Sequence, residues 1–314
     1  MRHKIIEVSM SAERLYLNEE WLKTQLLLHG NATEVARAND MAERTVQRYA
    51  NRLSRNLVPD TIRSMPHPVP LTPLMDEIRI RGNGLVSSDW HIPLTSHELI
   101  AQAIESAIAH GCTDYCAIVG DYFNFDALSS YYPKQDNAGL ETELVHGGQL
   151  IELLLQVFDY VYVTKGNHDV RMLNALGFKL KFERSIRMCL PSISDEQMER
   201  IIVTGLDYIV VDSDREKPWH CCHTNAYAKS MLTIPNEIAL IHDVNVAAGH
   251  RHHHAIGRAR NGNYVVELGG LFDEAKTQYL RQWTNTFPKW APGWMLLYDG
   301  LPYLPFLAPS PTRV

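Results

Sequence analysis

The 314-residue sequence lacks a disulfide framework: its five cysteines, Cys112, Cys116, Cys189, Cys221 and Cys222, are odd in number and two are adjacent. A cysteine-stapled secreted scaffold is excluded, and the thiols read as reduced. Long apolar runs are missing too. None approaches the roughly 18 residues of a membrane span, and Met1 to Met10 carries charges with no apolar signal core. The expectation is a cytoplasmic protein with no membrane partner. Charge of one sign is not in excess either: a formal net charge of -6 with 21% charged residues is ordinary for a globular protein and does not by itself call for nucleic acid.

What is present is length enough for one large α/β domain with an appendage, or for two domains. Charge is unevenly spread. Residues 1–64 carry 10 Lys/Arg against 8 Asp/Glu, leaving 20 against 28 for the rest, so a mildly basic N-terminal part precedes an acidic body.

The pattern predicts a helix over 19–29, stopped by Gly30-Asn31. In residues 33–53, Val35, Ala36, Met41, Val46 and Tyr49 have the spacing of two short helices packed across a tight turn, with Asn39 at the position wanting a left-handed residue. This stretch resembles a helix-turn-helix. That resemblance would present Arg44, Thr45, Gln47 and Arg48 to a DNA groove, with Arg52 and Arg55 near phosphates. The alternative is a helical hairpin for protein contact with its arginines on a solvated face. The prolines Pro59, Pro66, Pro68, Pro70 and Pro73 predict a stiff linker that is neither helix nor central strand. The expected organisation is a helical module over 1–57, a proline-rich linker over 58–77 and a larger body over 78–314.

From Ile78 onward, strand, polar motif and helix repeat. The apolar run Tyr115-Cys116-Ala117-Ile118-Val119 reads as a buried strand ending in Gly120-Asp121. The same grammar gives Leu85-Val86-Ser87-Ser88 before Asp89-Trp90-His91, and Tyr160-Val161-Tyr162-Val163 before Lys165-Gly166-Asn167-His168-Asp169. Helices are expected over 99–110 and 140–158. Later strands are short: 201–203, 208–211, 219–222, 244–248, 255–258 and 264–268. Two packed sheets with helices outside fit this better than one doubly wound sheet.

Asp89-x-His91 offers a carboxylate and an imidazole from one loop, Asp121 has two oxygens able to bridge a pair of metals, and Asn167 adds a neutral oxygen. His223 follows a strand, as do His250 and His252. These oxygen and nitrogen donors, without thiolate, suit Mn²⁺ first, with Fe, Zn²⁺ and Ni²⁺ as alternatives. One metal would use half the set; two would use all of it.

The ordered blocks Asp-x-His, Gly-Asp, Gly-Asn-His-Asp, His and Gly-His-x-His, spread over 85–270, resemble the calcineurin-like metallophosphoesterases. The resemblance implies an αββα sandwich with two divalent metal ions. By it, Asp89, His91, Asp121 and His252 would hold one ion, and Asp121, Asn167, His223 and His250 the other. His168 would stand beside the scissile phosphate, with Asp169 orienting it. The chain departs from the family in having Thr224 where glycine often follows the histidine, and the run His252-His253-His254 leaves the last ligand's register open. His220 and His242 are rivals of His223; the period of two along the strand favours His223.

Tyr122, Phe123, Phe125, Tyr131 and Tyr132 could stack on bases or pack in the core, and the base rate for aromatics favours packing. Asn124 and Asp126 sit among them. Over 171–189, Lys181, Arg184 and Arg187 form a stripe, either a cationic wall for a polyanion or a solvated face, with Phe178, Phe182 and Ile186 inward. The strand 295–298, near Trp283, Trp290 and Trp294, is expected to close a sheet edge, and 301–314 to be extended. The combined expectation is a two-metal phosphodiesterase or nuclease acting on DNA. A metal-dependent phosphatase on a small molecule or phosphoprotein, and a DNA-binding regulator retaining the metal site, are the alternatives.

Overall fold

A computed structural model describes residues 18–64, 77–129, 139–177, 179–190, 193–273, 276 and 290–305. The chain divides into two compact units, Met1–Leu74 and Met75–Val314.

The described residues of the first unit form three helices: α1 (Glu19–His29), α2 (Ala32–Ala38) and α3 (Glu43–Ser64). Its ends follow local chemistry. Asn18 and Asn31 accept from the backbone N–H groups of Trp21 and Glu34, each cap worth about 1 kcal/mol, and Gly30 closes α1 at φ 79° with its N–H on Leu26 O. Leu22, Val35, Ala36, Val46, Ala50 and Leu53 make a small core, with Met41 and Tyr49 against it. The left-handed residue of the turn is Asp40, at φ 53°, and not Asn39. Asn39 instead caps α2, its Nδ2 donating to Val35 O and Gln25 Oε1, which needs no positive φ. A second correction concerns the linker: α3 continues through Val58 and Pro59 to Ser64. A proline inside a helix removes one backbone hydrogen bond without forbidding the turns on either side. The linker positions 65–76 lie outside the described residues.

The second unit holds β1 (Arg79–Ile80), β2 (Gly84–Ser87), α4 (His97–Ala109), β3 (Tyr115–Val119), α5 (Gly139–Leu154), β4 (Tyr160–Thr164), α6 (Asp169–Ala175), α7 (Phe182–Met188) and α8 (Asp195–Glu199). There follow β5 (Ile201–Val203), β6 (Tyr208–Val211), β7 (Trp219–His223), α9 (Thr233–His242), β8 (Asn245–Gly249), β9 (His254–Arg258), β10 (Tyr264–Leu268), β11 (Met295–Tyr298) and β12 (Leu301–Tyr303). One six-stranded sheet runs β1-β6-β7-β8-β10-β9 and the other β12-β11-β2-β3-β4-β5, both mixed. The neighbours β2, β3, β4 and β5 are parallel, as are β7, β8 and β10.

Side-chain alternation assigns the layers. On β3, Tyr115, Ala117 and Val119 join Val86, Ile209, Val211, Trp219, Cys221, Val266 and Met295 in a core between the sheets. Cys116 and Ile118 point the other way, onto α4 and α5 through Ala103, Ala107, Leu150 and Ile151. Across the second sheet, Cys222, Val246, Ala248 and Val265 pack on Ala239 of α9. The unit is therefore a two-sheet αββα sandwich.

Tyr122, Phe123 and Phe125 are buried core residues, so the base-stacking option does not apply to them. Tyr131, Tyr132, Phe178 and Trp283 lie outside the described residues. The expected edge strand β11 is interior to its sheet; β12 takes the edge, within the stretch read only as extended tail, and Pro302 sits where its missing N–H costs no internal ladder bond. On α7, Phe182 and Ile186 are buried while Arg184 and Arg187 are exposed, as the spacing predicted; Lys181 only precedes the helix.

Candidate metal centre

Parallel strands point their C-terminal ends the same way, and in this unit the chemistry collects there. Asp89 and His91 follow β2, Asp121 follows β3, and Asn167 and His168 follow β4; from the other sheet His223 ends β7, and His250 and His252 follow β8. Asp89, His91 and His252 form one cluster and Asp121, His223 and His250 a second, with ligand atoms within 4.8 Å of one another in each. A third grouping, His91, Asp121 and His168, joins them.

Asp121 sits between the clusters. Its Oδ1 accepts from the His168 backbone N–H at 2.7 Å, while Oδ2 lies 3.3 Å from His223 Nε2, 3.9 Å from His168 Nε2 and 4.0 Å from His91 Nε2. Asn167 Oδ1 is 3.0 Å from His223 Nε2. The His223 ring is set from behind by Val119 O, 3.1 Å from Nδ1, so the proton on Nδ1 leaves Nε2 directed at the carboxylate.

In the first cluster, Asp89 Oδ2 accepts from the His250 backbone N–H at 2.9 Å. Oδ1 is buried with no hydrogen-bond partner among the described residues, 3.0 Å from His252 Nε2 and 3.6 Å from His91 Nε2. The two Nε2 atoms are 3.1 Å apart. Tetrahedral ligation with metal–nitrogen bonds of ~2.0–2.1 Å would separate two imidazole nitrogens by about 3.3 Å. The donor set and its spacing thus fit a divalent cation in each cluster, with Asp121 in the second cluster and in the grouping that joins it to the first. Among His252, His253 and His254 only His252 enters: His253 Nδ1 lies 3.3 Å from Glu267 Oε2, and His254 opens β9. His220 and His242 stack on each other away from the clusters.

Electrostatics follow burial and partners. Burial raises the Asp121 carboxyl, but His223 and His168 outweigh it and hold the group well below the usual carboxylate range. Burial likewise opposes Asp89, and His252 and His91 win. For His223 burial lowers and Asp121 raises, leaving it at about 9. A cation has to displace that proton to bind. His168 is driven down to about 3, chiefly by burial, and is neutral.

Asp169 does not orient His168 as expected. Its oxygens accept from the backbone N–H groups of Phe123 and Gly166, at 3.0 and 2.7 Å, so it clamps the loop after β4 to the loop after β3. Burial, then the nearby Asp121 charge, pushes its carboxyl up to about 7. The His168 ring is held by Asn124, whose carbonyl O and side-chain Oδ1 lie 3.0 and 3.1 Å from Nδ1. Sequence alone marked Asn124 only as a polar residue among aromatics, a candidate contact to metal-bound groups and not a partner of His168, and gave no role to Ser88, whose Oγ is 2.6 Å from both Asp89 Oδ2 and Val119 O. A serine before an Asp-x-His block has no distinguishing signal. Thr224, in place of the family's glycine, is accommodated with Oγ1 3.4 Å from Gly249 O.

No family model matches the chain. No curated protein matches either. Among solved structures it is similar to Vps29 from Entamoeba histolytica complexed with Zn²⁺, at 13% identity and TM-score 0.36 over 69% of this chain and 86% of that one. It is also similar to the Thermotoga maritima protein TM1076, at 13% identity and TM-score 0.33 over 71% of this chain and 96% of that one. Likeness at that level leaves the chemistry to be read from the site itself.

In the N-terminal unit, Arg44, Gln47, Arg48 and Arg52 are exposed along α3, and Thr45 is half-buried. Gln47 Nε2 donates to Asn51 Oδ1 at 3.0 Å, and the Arg48 guanidinium lies 5.1 Å from the Tyr49 ring centroid. The Arg55 side chain is outside the described ones.

Proposed function

We propose that the protein is a metal-dependent phosphoester hydrolase whose substrate is a phosphodiester of DNA. The observation that carries the hydrolase reading is the Asp121 carboxylate standing between two His/Asp clusters, each with the donors and spacing of a divalent-cation site. Bound cations would lower the pKa of water and clamp phosphoryl oxygens, so that attack on phosphorus proceeds at neutral pH.

The chain's own groups supply the rest. Asp89, His91 and His252 would hold one ion, and His223, His250 and Asn167 the other, with Asp121 on both. The Asn124 carbonyl only accepts, so the His168 proton resides on Nδ1 and Nε2 is an acceptor, with Arg171 NH2 3.3 Å away. In this state His168 accepts and positions; it has no Nε2 proton to give a leaving oxygen. The positive backbone angles at Asp89, His91, Asp121, His250 and His252 aim five side chains that ordinary turns would splay.

The DNA half of the proposal draws on the helix-turn-helix reading of the N-terminal unit, whose α3 carries Arg44, Gln47, Arg48 and Arg52 toward solvent. A comparison of labelled DNA, a phosphomonoester and bis-p-nitrophenyl phosphate, each with and without Mn²⁺, tests it. Metal-dependent cleavage of DNA and of the diester is expected. Turnover of the monoester alone would make the protein a phosphatase, and DNA binding without cleavage by metal-loaded protein would remove the hydrolase reading.

A further inference from the structure

Arg171 borders the site without belonging to either cluster. It lies on α6, where NH1 donates to Asn124 O at 2.8 Å and NH2 is 3.3 Å from His168 Nε2. A guanidinium only donates, so NH2 is the donor in that pair and Nε2 the acceptor. His168 Nε2 is in turn 3.9 Å from Asp121 Oδ2, so the guanidinium is one imidazole removed from the carboxylate between the clusters. The two acceptors, Asn124 O and His168 Nε2, fix its plane.

Its charge is only loosely balanced by the acid at its side. NH1 to Asp126 Oδ1 is 3.9 Å, against about 2.7–2.9 Å for a tight charge-assisted pair. The side chain keeps 18% of its surface open. A guanidinium has five N–H donors in a fixed fork, and the two contacts to Asn124 and His168 leave donors over for a ligand. A cationic fork one imidazole away from Asp121 would be repelled by cations held there. An anion seated between them turns that repulsion into attraction.

We propose that Arg171 is a substrate-binding residue, its guanidinium taking a non-bridging oxygen of the phosphoryl group while Asn124 O and His168 Nε2 hold it in place. The inference rests on the phosphoester reading and adds the donor at the corner where the sequence resemblance put His168 alone.

The test uses full-length, metal-loaded protein, with Arg171→Lys and Arg171→Gln beside wild type. Metal content is measured by elemental analysis, inorganic phosphate binding by calorimetry and diester hydrolysis by initial rates. Arg171→Gln should keep both ions, bind phosphate on the order of 10–100-fold more weakly, the range for losing a charge-assisted hydrogen bond, and raise KM. Arg171→Lys should fall between, because an ammonium keeps the charge and loses the fork. If Arg171→Gln sheds metal, Arg171→Lys with full metal content decides: weakened phosphate binding supports the role. Phosphate affinity equal to wild type in a metal-replete variant overturns it, as does metal-loaded wild type that binds no phosphate. Wild type that binds metal and Arg171-dependent phosphate but hydrolyses no ester would sink the hydrolase reading and leave the phosphate site standing.

Discussion

At Asp121 the two carboxylate oxygens divide their work: Oδ1 is taken by the His168 backbone N–H, and Oδ2 faces His223, His168 and His91. The residue sits at φ 49°, a region costing a non-glycine residue about 1–3 kcal/mol unless its surroundings impose it. Asp121→Ala should therefore lose metal from both clusters, and elemental analysis at saturating Mn²⁺ checks this; a variant retaining the wild-type metal content would remove Asp121 as the shared ligand. His168→Ala belongs to the same experiment with the opposite expectation. His168 lies in neither principal cluster and its Nε2 accepts from Arg171, so metal should stay while diester turnover falls on the order of 10–100-fold, the cost of a charge-assisted donor that has lost the acceptor fixing it. Asn124 explains why His168 is ready for this, and its role emerged only from the fold, since His168 and Asn124 are brought together by adjacent parallel strands.

Among the elements, the loops after β2, β3, β4, β7 and β8 matter more than the strands they extend. They can approach closely only because of glycines. At Gly166 a Cβ would collide with both the Asp121 Oδ1 atom and its backbone nitrogen, and at Gly249 it would meet Ser88 Oγ. Gly166→Ala should consequently displace Asp121, lowering metal content and destabilising the fold by about 1–3 kcal/mol, as overpacking does. Thermal melting with and without chelator reads both effects; a variant with wild-type metal content and melting temperature would show that the loop relaxes freely. Asp169 belongs to this scale too. The motif Asn-His-Asp suggested a catalytic partner for His168, while its bonds to Phe123 and Gly166 make it the tie between two ligand loops. Sequence adjacency misled here because a helix begins at Asp169 and turns consecutive side chains in different directions.

For the whole molecule, the αββα unit contains every residue of the candidate metal centre, and the three-helix unit has its own core. Deleting residues 1–64 should leave hydrolysis of a small diester unchanged while weakening DNA binding and its salt dependence, because phosphate contacts add affinity and the metal site does the chemistry. Arg44→Ala with Arg48→Ala should reproduce part of that loss in the full chain. Filter binding across a salt series measures both; unchanged DNA affinity would assign the three-helix unit to some other contact. Among the described residues no helix is long and apolar enough to cross a membrane. Much of this architecture was legible from residues alone, since alternation and apolar runs are local records of burial: two packed sheets with helices outside, the polar blocks at strand ends and the small helical unit follow from periodicity and spacing, while the metal-ligand roles of those blocks were implied by the family resemblance. Tertiary structure alone decided that His252 rather than His253 or His254 faces Asp89, that Asp40 turns the chain between α2 and α3, that α3 runs past Pro59, and that Asn124 and Arg171 flank His168. Each depends on which atoms meet across separate elements or on backbone angles set by packing, and neither leaves a periodic trace in the sequence.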